Sequence, residues 1–149
     1  MSCPRPSADH KPRARYTWHQ HGWHLWHRTH PRHHSLISCL FCKIIAGEIP
    51  ASKVYEDDQL IAFNDINPQA PMHVLVVPKR HVSTLNDLSA SDDGPVGAMV
   101  RRAAALAKEK SFDGPGYRTV FNCNGQAGQT VFHLHLHVLG GRTMTWPPG

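Results

Sequence analysis

The segment His133-Leu134-His135-Leu136-His137-Val138-Leu139 repeats histidine at every second position. On an extended chain this period places the three imidazoles on one face, roughly 7 Å apart, and Leu134, Leu136 and Val138 on the other. A packing role explains such a row poorly, because charged neighbours repel and buried imidazoles need partners. Two chemistries fit: nucleophilic and acid–base work near neutral pH, or a comb of metal ligands. Immediately upstream, Gly125-Gln126-Ala127-Gly128-Gln129-Thr130 forms a polar loop whose glycines allow backbone N–H groups close to an anion. Such a loop is weak evidence alone and strong evidence directly before three aligned histidines. Cys39-x-x-Cys42 has a two-ligand spacing suited to a tetrahedral metal but needs two further ligands. Free buried thiols or a redox pair would show the same spacing. Cys3 and Cys123 have no evident partner, and four cysteines without a secretory signal fit a reducing, cytoplasmic setting.

The elements that must position these residues follow from pattern. Lys53–Glu56 and Leu60–Phe63 predict two short strands joined at Asp57-Asp58 as a hairpin. Asn67-Pro68 with Pro71 marks a loop, and His73–Val77, β-branched and closed by Pro78, predicts a buried central strand. After Ser91-Asp92-Asp93, Val96–Lys110 predicts the main helix, begun by a capping-type residue. Its apolar face is Val96, Met99, Val100, Ala103, Leu106 and Ala107. Tyr117–Asn122 predicts a strand, and Val131–Leu139 another of period two. Strands, then a helix, then strands argue for an α+β fold with an antiparallel sheet rather than βαβ repeats.

The 149 residues suffice for one domain, and no apolar run approaches the roughly 18 residues of a membrane span. A protein outside the membrane is expected. The formal charge of +5 is unevenly placed: Met1–Ser38 hold six Lys or Arg against one Asp, and Cys39–Gly149 hold ten of each sign. Eight of the 13 His also precede Ser35. The domain is therefore 39–149, and its balanced charge gives no reason to expect nucleic acid as a partner. Met1–Ser38, rich in His, Arg, Trp and Pro, is read as a disordered leader. It lacks the apolar stretch of a secretory signal. It is either a metal-collecting or nucleic-acid-touching arm, or an unselected extension from an early start site.

From Cys39 to Gly149 the sequence resembles the histidine-triad superfamily of nucleotide hydrolases and transferases. The likeness rests on the triad and on Cys39-Leu-Phe-Cys-Lys-Ile-Ile, Gly47-Glu-Ile-Pro, Phe63-Asn-Asp-Ile-Asn-Pro-Gln-Ala-Pro, Val77-Pro-Lys-Arg-His and Gly128-Gln-Thr-Val. The closing Gly140-Gly-Arg-Thr-Met-Thr-Trp-Pro-Pro-Gly is similar to the branch of purine nucleoside phosphoramidases. The resemblance implies an antiparallel sheet with one main and one short helix, continued across a homodimer.

It further implies that His135 attacks an α-phosphorus to give a nucleotidyl-histidine, with His133 and His73 supporting the site. His137 and Thr130 would protonate the departing amine. Leu40, Phe41, Ile44, Phe63 and Ile66 would line a nucleoside slot, with Asp65 accepting from the ribose hydroxyls. Asn122, Gly128, Gln129, Thr130 and Val131 would meet the phosphate, and Trp146 would close the leaving-group end from a partner subunit. Zinc-bearing members of the superfamily match Cys39, Cys42, His81 and His133, implying a structural Zn²⁺; no organic cofactor is implied. The leading expectation is hydrolysis of purine nucleoside 5′-phosphoramidates, such as an AMP-lysine bond. Cleavage of dinucleoside polyphosphates and a nucleotide- or metal-binding regulatory module are the alternatives.

Overall fold

Asp57 makes the first turn of the domain: its carboxylate accepts from the backbone N–H of Gln59 (2.8 Å) and Leu60 (2.7 Å). This side-chain turn joins β1 (Lys53–Glu56) to β2 (Leu60–Asn64) as the antiparallel hairpin predicted. The computed structural model describes residues 39–148, so the Met1–Ser38 leader and its expected disorder lie outside the described residues. Within them are also α1 (Leu40–Ile45), β3 (Met72–Pro78), α2 (Asp93–Glu109), β4 (Tyr117–Phe121) and β5 (Leu136–Gly140). The sheet is antiparallel in the order β1-β2-β3-β5-β4, which confirms the α+β reading and puts β3 in the centre.

Every residue of β3 is buried, because its two faces meet different cores. Val74 and Val76 join Leu60, Ala62, Leu134, Leu136 and Val138 under Met99, Ala103, Leu106 and Ala107 of α2. Leu75 and Val77 join Ile61 and Phe63 against Phe41 and Ile44 of α1. The histidines lie on this second face, across the sheet from the main helix.

Three details depart from expectation. β5 begins at Leu136 rather than Val131, and the ladder gives the reason: its last pairs are Val76↔Leu136 and Phe121↔Leu136. Two steps further, Leu134 would face Pro78, which has no N–H to donate. Leu134 N–H bonds instead to the Val82 carbonyl (2.6 Å), and outside the strand the side chains still alternate between faces, Leu134 packing in the core under α2 and His133 and His135 against Phe41. Secondly, α2 starts at Asp93, and the buried Asp92 carboxylate turns back to accept from Ser89 N–H (2.8 Å) rather than capping it. Arg80 pairs with the same carboxylate. Thirdly, Val100 is 49% exposed, lying at the margin of the face that α2 buries.

Candidate active site

The β3–β5 register sets His73 opposite Leu139 and His137 opposite Leu75, so the two histidines are diagonal neighbours on one face. His73 Nε2 lies 2.9 Å from His137 Nδ1. The backbone fixes how the protons are placed. Gln69 N–H donates to His73 Nδ1 (3.1 Å), so in the neutral ring the proton is on Nε2, donated to His137 Nδ1. His137 then carries its own proton on Nε2, turned away from His73. His135 Nδ1–H donates to the His133 carbonyl (2.7 Å), which leaves the Nε2 lone pair of His135 free for chemistry. The rings of His135 and His137 are 4.9 Å apart at 66°. Asp65 Oδ2 lies 3.5 Å from His73 Nε2, while its Oδ1 accepts from Asn67 N–H (2.8 Å).

Burial keeps these imidazoles neutral. It pushes His137 down to about 4, aided by His135 and His73 and opposed by Asp65. It also lowers His135, against the pull of the His133 carbonyl and Asp65, and lowers His73 against Asp65. Neutral imidazole is the nucleophilic form, and a row of protonated rings would carry no lone pairs.

His133 faces the other way. Its Nε2–H donates to the Pro78 carbonyl (2.8 Å), and its Nδ1 points at the cysteines. Cys39 Sγ is 3.5 Å and Cys42 Sγ 3.6 Å from His133 Nδ1, and Cys42 Sγ is 3.3 Å from His81 Nδ1. Zinc–sulfur bonds of about 2.3 Å and zinc–nitrogen bonds of about 2.0 Å at a tetrahedral angle place S and N about 3.5 Å apart, so the four donors fit that ion. The outward nitrogens have partners too, His133 at Pro78 and His81 Nε2 at Ser83 Oγ (3.2 Å), which leaves both Nδ1 lone pairs inward. Burial pushes Cys42 up to about 11, with Cys39 adding to the rise, and His133 down to about 4. A dication between them would reverse the thiol shift. Asp65, His73 and His137 also lie within ligand reach of one another. They make a poor metal site, because Gln69 N–H occupies His73 Nδ1 and a metal on Nε2 would require an imidazolate.

The family model described as "Scavenger mRNA decapping enzyme C-term binding" matches residues 38–146. The chain is 45% identical over 105 residues to the purine nucleoside phosphoramidase of Escherichia coli, covering 70% of this chain and 88% of that one. The chain belongs to the histidine-triad (HIT) family. A HIT family hydrolase from Legionella pneumophila superposes with a TM-score of 0.74 at 53% identity, covering 74% of this chain and 99% of the other. A zinc-bound histidine-triad protein from Mycobacterium smegmatis gives 0.63 at 37% identity, covering 73% and 78%.

In this HIT chain the remaining site candidates fall in three groups. Phe41, Ile44 and Phe63 are buried beneath the histidines; Phe41 meets His135 edge-on at 5.2 Å and Phe63 at 5.4 Å. Leu40 is exposed and Ile66 fully so. In the loop, Gly128 sits at φ +83, a left-handed conformation that favours glycine, and its missing Cβ would lie 4.0 Å from Asn122 Nδ2. Thr130 is exposed and Val131 half-buried. Gln129 points inward: its Oε1 accepts from Asn124 N–H (2.8 Å), and its Nε2 donates to the carbonyls of Ser83 (2.8 Å) and Val131 (3.2 Å). The N–H groups of Gly128 and Gln129 are also donated inside the loop, to Gly125 and Asn124. Trp146 is 83% exposed, and the nearby Thr145 carbonyl accepts from Arg118 of β4 (2.7 Å).

Sequence reasoning did not find the His73–His137 bond, the Gln69 N–H, or Ser83 and the Pro78 carbonyl behind His81 and His133. Each depends on a pairing between distant segments and leaves no local signal.

Proposed function

We propose that the chain is a purine nucleoside phosphoramidase that hydrolyses the P–N bond of adenosine 5′-phosphoramidates through a nucleotidyl-histidine on His135. The observation that carries this reading is the fixed tautomer of His135, whose Nδ1–H is held by the His133 carbonyl while Nε2 keeps its lone pair. That nitrogen attacks the α-phosphorus. The P–N bond breaks, and the departing amine takes a proton from His137, with the Thr130 hydroxyl at the same end. This step uses one proton beyond the neutral state, favoured by an anionic substrate and Asp65; His137 takes it at Nδ1 and donates it to His73 Nε2, while the proton of His73 moves to Nδ1 at the expense of the Gln69 N–H bond. In the second step water attacks the phosphorus, its proton passes to His137, and AMP leaves with His135 neutral again.

Leu40 and Ile66 present exposed apolar surface to the nucleoside over the buried Phe41, Ile44 and Phe63, and Asp65 takes the ribose hydroxyls. Asn122, Gly128, Gln129, Thr130 and Val131 form the phosphate end, with Gln129 acting by shaping the loop. Zn²⁺ at Cys39, Cys42, His81 and His133 would tie α1 to the segment before β5 and supply no step. We also read the protein as a homodimer, because β4 is an edge of the sheet and the tail carrying the exposed Trp146 runs beside it. Cysteines placed as metal ligands at Cys39 and Cys42 support our reading of a reducing, cytoplasmic setting. No helix among those residues is long and apolar enough to cross a membrane.

Rapid quenching with adenosine phosphoramidate, followed by intact-mass analysis, should show one AMP adduct mapping to His135. Turnover without such an adduct, or faster turnover of a dinucleoside polyphosphate, would overturn the assignment.

A further inference from the structure

We propose that Gln129 is the positioning residue through which metal binding at Cys39, Cys42, His81 and His133 sets the shape of the phosphate-facing loop 124–130. This rests on the reading that the loop receives the phosphate of a nucleotide. The side chain of Gln129 is buried and all three of its hydrogen bonds go to backbone. Two of them end on the segments that bring histidines to the metal cluster: Ser83 follows His81, and Val131 precedes His133. The third ends on Asn124, at the opposite side of the loop. Asn124 also accepts from Gln129 N–H (3.1 Å), so one residue closes the loop twice.

The loop needs such a brace. Asn124 adopts φ 65 and ψ 177, a region that side chains other than glycine rarely occupy and that persists only where the surroundings impose it. With His81 Nδ1 on a metal, its Nε2–H is directed at Ser83 Oγ, 3.2 Å away. The Ser83 carbonyl in turn holds Gln129 Nε2. On the other arm, His133 N–H donates to the Val131 carbonyl (2.9 Å), which Gln129 shares. Releasing the metal removes the Nδ1 anchor of both histidine rings, leaving each held through Nε2, and so loosens both carbonyls that orient the amide, and with them the loop. Metal and nucleotide therefore assist one another's binding by the same factor, as linkage requires.

The test measures AMP affinity by calorimetry on the full chain, zinc-loaded and zinc-stripped, for wild type, Gln129→Met and Ser83→Ala. Wild type should bind AMP at least about fivefold more tightly with zinc, and each variant less than about twofold more tightly. A merely structural Gln129 would weaken AMP equally in both states and leave the ratio intact, which would overturn the proposal. Should stripping unfold the chain, chelator competition reads the same coupling on folded protein: saturating AMP should raise the chelator needed to remove zinc from wild type and not from Gln129→Met. AMP binding that ignores zinc in wild type sinks the coupling alone. Failure of zinc-loaded wild type to bind AMP sinks the functional reading with it.

Discussion

His73 and His137, 64 positions apart in the chain, lie with Nε2 and Nδ1 2.9 Å apart on adjacent strands. With Gln69 N–H behind His73, this contact orders the protons of the neutral pair so that His137 presents Nε2–H outward rather than a lone pair.

Replacing His73 should therefore affect the leaving-group step. His73→Phe keeps the ring volume and removes the donor, and kcat for an alkylamine phosphoramidate should fall about 10²-fold. The loss should shrink for a leaving group that departs without protonation. Equal losses for both substrates would assign His73 to packing.

His135→Ala removes the attacking nitrogen. Turnover should fall by about 10³-fold or more, with AMP still bound within a few-fold of wild type. Persistent turnover would exclude the covalent route.

Acid should destabilise the fold through these same rings. His137 and His133 titrate near 4 in the folded protein and near their usual 6.5 when unfolded, because burial penalises the charge. Between those values the unfolded chain binds more protons, so stability falls as pH drops through this window and is unaffected by these groups above it. Urea midpoints should decrease from about pH 7 to about pH 4.5, and His137→Asn should flatten that slope. An unchanged slope in the variant would count against the burial argument.

Removing one thiol should empty the metal site. Cys39→Ser should lower bound zinc from near one per chain to a small fraction by elemental analysis, and lower the melting temperature. Wild-type protein purified without zinc and no less stable than the zinc-loaded form would refute the staple.

Phe41 packs on both Phe63 and His135, so Phe41→Ala should cost about 3–5 kcal/mol in denaturant titration and lower kcat by loosening His135. Phe41→Leu should recover most of the stability.

Much of the site was legible before folding because its signals are local. The period of two from His133 to Val138 fixes which side chains share a face, and it survives beyond Val76↔Leu136, where the ladder ends. Cys39-x-x-Cys42 announced half of a metal site, and resemblance supplied His81 and His133. Val100, Asp92 and the start of β5 were misplaced, since each depends on what lies across from it.

The sequence by itself determined the alternation of the triad, the α+β order of elements and the family, all of which reside in short-range spacing. Tertiary structure alone decided which group each histidine nitrogen meets. Four imidazoles of the same chemistry are distinguished by the group each ring nitrogen meets: Pro78 and the cysteines for His133, the His133 carbonyl for His135, His73 for His137, and Gln69 N–H for His73. A histidine has two nitrogens and, when neutral, one proton; only contacts made across the sheet and its loops say where that proton rests.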